Sequence, residues 1–205
     1  MMRAVRCLPV ILAAGIATAS CGPLVQLGGN NPVPDSLLTL ATTAPTVAEP
    51  TGAPVLITLP DVPGKLRTTR VAVVTTNNEI QYLPAAGWIE QPNILFQRVL
   101  LDTFEARTSR PALDERSIDI VPAARLSGNL AAFELDVRGA PQVRVGYNAT
   151  LTTPDAGLIA TRRFEVVEPV SVETGPAVAA ALTVAANRIA VEISDWAGAA
   201  TSTAP

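Results

Sequence analysis

Histidine is absent from the 205-residue sequence, and the only cysteines are Cys7 and Cys21. Few side chains are therefore left to act as nucleophile, metal ligand or neutral-pH base, because imidazole and thiolate are the groups whose chemistry runs near pH 7. His-dependent triads, histidine zinc sites and histidine general bases are excluded outright. No Gly-x-Ser-x-Gly elbow, Walker loop or dinucleotide glycine fingerprint occurs, so ATP and NAD chemistry lack their usual cradles. Carboxylates such as Asp114, Glu115 and Asp119 remain, and acidic side chains are mostly solvated. The sequence assigns no catalytic residue, no metal ligand and no cofactor, and it reads as a protein that is not an enzyme.

What chemistry the sequence does offer is modification of one thiol. Arg3 and Arg6 make a positive start, and Leu8 to Ala17 form an apolar run of signal-peptide length. That run is too short for a bilayer core of ~30 Å. Thr18-Ala19-Ser20-Cys21 then sets small residues before a cysteine, a pattern that resembles the lipobox of lipoprotein precursors, with Thr18 where Leu is usual. Residues 1–20 are expected to be removed and Cys21 to carry lipid; an ordinary secretory signal with an incidental cysteine is the weaker alternative. Cys7 leaves with the signal, so Cys21 has no disulfide partner. By the sorting rule of the lipoprotein class, Gly22 in place of Asp favours the outer membrane, periplasmic face. The mature chain keeps 13 basic against 18 acidic side chains, which gives nucleic-acid binding no electrostatic footing. No later run reads as long and apolar enough to span a membrane.

Behind Cys21 the residues from Gly22 to Pro34 show no apolar periodicity and form an expected tether of at most ~40 Å. Asp35 to Leu40 suggests a first short strand, and a Pro/Thr/Ala-rich stretch follows to Pro54. Val55 to Leu59, Arg70 to Thr75 and Glu79 to Leu83 read as strands, with Asn77-Asn78 a turn. Pro92 suits a first helical position, and Ile94, Leu95, Val99, Leu100 and Phe104 recur at helical spacing to about Arg107. From Ala131 to Arg138, Phe133, Leu135 and Val137 face one way while Glu134 and Asp136 face the other, the period of a half-buried strand. Val143, Val145, Tyr147, Ala149 and Leu151 repeat the alternation. A third strand, Leu158 to Val167, puts Arg162 on the core face, which requires either a bulge or a partner. After Gly175-Pro176, Val178, Leu182, Ala185, Ile189, Ile193 and Trp196 form one apolar helical stripe, with Thr183, Asn187, Glu192 and Asp195 off it and Gly198 as the stop. Aromatics make up 4% of the chain, so an aliphatic core is expected. These elements give an α+β class: a largely antiparallel sheet, an amphipathic helix between two strand groups and a C-terminal helix on the sheet. The domain is expected over 35–199, with a disordered tail at 200–205.

Pro63-Gly64-Lys65-Leu66-Arg67-Thr68-Thr69-Arg70-Val71-Ala72-Val73, Ile80-Gln81-Tyr82-Leu83 and Trp88-Ile89-Glu90-Gln91-Pro92 together resemble the ABC-type transport auxiliary lipoprotein component family. The helix from Ala179 through Ile189 to Trp196 is similar to that family's closing helix. The family includes the paraquat-inducible protein C lipoproteins. The resemblance implies a lipid-transport accessory subunit at the outer membrane, working with an ABC ATPase and permease and a mammalian-cell-entry (MCE) domain protein, with self-association into a homo-oligomer left open. Trp88 and Glu90 stand out as partner contacts, against the plainer reading of a packing anchor and a carboxylate favoured by the helix dipole. Lys65, Arg67 and Arg70 are the most basic short segment, read as a solvated edge before a headgroup contact. A periplasmic module binding lipid or another apolar ligand is the alternative function, and a carboxylate-only enzyme the remote one, which two buried carboxylates beside a dry cleft would revive.

Overall fold

A computed structural model describes residues 36–117, 120–154 and 157–202, all within one compact unit, Pro32–Pro205. Cys21, the tether up to Asp35, Asp119 and the centre of the turn at Asp155-Ala156 lie outside the described residues.

The elements follow in the order β1 (Val55–Ile57), β2 (Arg70–Thr76), β3 (Glu79–Gly87), α1 (Pro92–Thr108), β4 (Ala112–Leu113), β5 (Ala124–Asp136), β6 (Gln142–Thr153), β7 (Gly157–Pro169) and α2 (Gly175–Ser202). A short 3-10 turn at Gly64–Leu66 lies between β1 and β2. The strands make one seven-stranded sheet organised by β5, which pairs β6 along one side and β1 and then β2 along the other. The β2–β3, β5–β6 and β6–β7 pairs are antiparallel, whereas β1–β4, β1–β5 and β2–β5 are parallel. The parallel pairs arise because β1 and β2 run the same way along β5, each reached through a long connection.

Both helices lie on one face. Pro92 opens α1, where a missing N–H costs nothing, and Leu95, Phe96, Val99, Leu100 and Phe104 are buried beneath it. The α2 stripe is buried from Val178 to Ile193, and Trp196 packs edge-on to Phe164 at 5.6 Å. Aromatics are few, yet Trp88, Phe96, Phe104, Phe133 and Tyr147 are among the largest fully buried side chains. Rings thus occupy the centre of a core whose bulk is aliphatic.

The structure corrects several expectations. Leu38 makes a single parallel bridge to Trp88 instead of a strand, because after Leu38 N–H bonds Gly87 O the chain turns onto α2. There Asn187, off the apolar stripe, is nonetheless buried: its Oδ1 accepts from Thr43 N–H at 2.7 Å and its Nδ2 donates to Ala41 O at 2.8 Å. Gly198 does not stop α2, which runs to Ser202 and so takes in residues 200–202 of the expected tail. Gly175–Thr201 is in fact long and apolar enough to cross a membrane by length and composition; here its apolar face is covered by the sheet and α1. Arg162 is exposed, its guanidinium 4.9 Å over the Phe164 ring, and a register shift precedes it between the pairs Leu151–Ala160 and Thr152–Leu158.

β5 starts seven residues before Ala131, and a register shift between Leu130 and Ala132 explains why. A bulge swaps which face alternate residues meet: Ala124, Leu126 and Leu130 point to the helices before it, and Phe133 and Leu135 after it. Read forward from Ala131, the alternation cannot be extended backward across that swap.

Candidate functional site

Trp88 and Glu90 sit where β3 leads into α1. Trp88 is 1% exposed and lies against Phe133, ring centroids 5.5 Å apart. Its N–H donates to Thr69 O at 2.6 Å, so the end of the basic segment abuts it. The indole Nε1 has no hydrogen-bond partner, a desolvation cost that the packing area of the ring must outweigh. Glu90 points outward and clamps Arg98 of α1 through both carboxylate oxygens, one bond measuring 2.8 Å. With the Arg98 side chain 58% exposed, that pair is a solvated helix-end clamp worth at most ~1 kcal/mol. Ile89 between them and Leu37 are exposed. These two, and not Trp88, face solvent here.

The basic segment does not form a free cationic patch. Lys65 ion-pairs Glu134, Arg67 Nε donates to Val62 O at 3.2 Å, and the Arg70 guanidinium lies 4.2 Å from the Tyr82 ring centre. Each cation is already engaged inside the domain.

Two functional-looking groups escaped the sequence. Glu134 and Asp136 face away from the helices, as their alternation predicts, but they are 4% and 3% exposed. Long side chains bury them: Lys65 covers Glu134, and Asp136 accepts from Arg138 Nε at 2.9 Å, Arg138 Nη2 at 2.6 Å and Arg144 Nη2 at 3.1 Å. Arg144 continues to Glu165 at 3.6 Å, which also holds Arg163 at 2.8 Å. Hydrogen bonding by Arg138 pulls the Asp136 pKa down to about 2 against the opposing effect of burial. Asp136 is thus a fixed anion at neutral pH, not a proton donor. These two buried carboxylates therefore turn into cations and not into a cleft. Spacing gave one hint of this network, since Glu134, Asp136, Arg138 and Arg144 all fall on one face of a hairpin.

Another buried polar group has no chemical partner. The Tyr147 hydroxyl lies over Gly128, where a Cβ would come 2.5 Å from the ring, and it makes no hydrogen bond. Burial raises its pKa, keeping the phenol neutral. Among the described residues no group of three or more Cys, Asp or Glu is placed to hold a metal ion.

The model of a family described as ABC-type transport auxiliary lipoprotein component matches residues 37–194, from the Leu38 bridge to the last turns of α2. Among solved structures, a Xanthomonas campestris protein assigned to family DUF330 superposes with a TM-score of 0.70 at 22% identity, covering 81% of this chain and 95% of that one. An uncharacterized protein reaches 0.60 at 12% identity, covering 78% and 99%. Both share the fold. No curated protein matches the sequence.

Proposed function

This chain belongs to the ABC-type transport auxiliary lipoprotein component family, and from that premise we propose that it is a non-catalytic adaptor, anchored through lipid on Cys21 to the periplasmic face of the outer membrane. There it docks the MCE-domain component of a lipid-transport system to the bilayer. One observation carries the reading: the charged side chains that could have served chemistry close on one another, Glu90 on Arg98, Lys65 on Glu134, and Asp136 on Arg138 and Arg144. With these charges matched to one another, the domain works through its shape and position. Trp88 holds the strand end in place, while Glu90 and the exposed Ile89 and Leu37 supply the partner contact. The tether, expected to reach at most ~40 Å, keeps the domain within a few nanometres of the membrane.

Position is then the quantity to perturb. Gly22→Asp, which retargets the protein to the inner membrane, is expected to give detergent sensitivity close to that of gene deletion, with Glu90→Gln and Asp119→Asn near wild type. Normal resistance in the retargeted strain would argue against docking, and severe sensitivity from one folded carboxylate variant would return an enzyme to contention. Fatty-acid labelling of wild type but not Cys21→Ala is the companion result, and equal labelling would sink the anchor.

A further inference from the structure

We draw no further inference here: the strongest candidate, the cavity of about 260 Å³ between the C-terminal turns of α1 and α2 where the buried Ser194 hydroxyl makes no hydrogen bond among the described residues, has both of its cations in use, Arg107 on Asp195 and Arg110 on Ala53 O and Thr201 Oγ1, and lies at the carbonyl ends of two helices, which disfavour an anion, so nothing in the structure shows what would occupy it.

Discussion

Replacing Asp136 by Asn separates charge from packing, since the two side chains are nearly the same size. In the wild type, Asp136 accepts four hydrogen bonds, from Arg138 N–H, Nε and Nη2 and from Arg144 Nη2. Its pKa falls from an ordinary 3.8 to about 2, which at 1.36 kcal/mol per pH unit corresponds to roughly 2 kcal/mol. The arginine side chains are 35% and 28% exposed, so solvent screening brings the share of the ion pairs to about 1–2 kcal/mol. Leaving two arginines without their anion adds to this through lost charge-assisted bonds, for a total near ~2 kcal/mol at pH 7. In a domain of this size that is a drop in melting temperature of about 4–8 °C. The sign with pH follows from the depressed pKa: the contribution is fully present above about pH 4 and disappears as pH falls through 2. Urea unfolding of wild type and Asp136→Asn at several pH values should therefore give two curves that converge on acidification. A gap under ~0.5 kcal/mol at pH 7 would refute the assignment of the network as stabilising, and a gap undiminished at pH 2 would show that packing and not charge is responsible.

Trp88→Ala should destabilise by about 3–5 kcal/mol and Glu90→Gln by no more than ~1 kcal/mol in urea unfolding; comparable losses would contradict the solvated reading of the Glu90–Arg98 clamp. Gly128→Ala drives a Cβ onto the Asn148 carbonyl and the Tyr147 ring. A cost above ~3 kcal/mol is expected there, against a near-neutral Gly139→Ala, where nothing lies within 4 Å, and a thermal melt reads both. Asn187→Ala removes the bonds to Thr43 and Ala41, so hydrogen exchange at the Thr43 amide should accelerate while amides of β6 stay protected.

Much of this architecture lay open in the residues. The alternation from Val143 to Leu151 specifies β6 because each position decides between core and water on its own. The apolar stripe from Val178 to Ile193 does the same for α2. The absence of histidine and the setting of Cys21 are facts of the chain that no tertiary contact alters. Tertiary structure decided whatever depends on residues far apart in sequence. The parallel pairing of β1 and β2 with β5 is set by which apolar faces meet, since neither strand carries a mark for its neighbour. The bulge after Leu130 hid the first half of β5 by exchanging the faces of alternate residues. Glu134 and Asp136 look solvated by their polarity and spacing, yet Lys65 and Arg144, arriving from other elements, join Arg138 in burying them. Local sequence determines the period of each element, because periodicity is a property of consecutive residues, whereas burial, charge pairing and concavity are properties of what the fold brings alongside them.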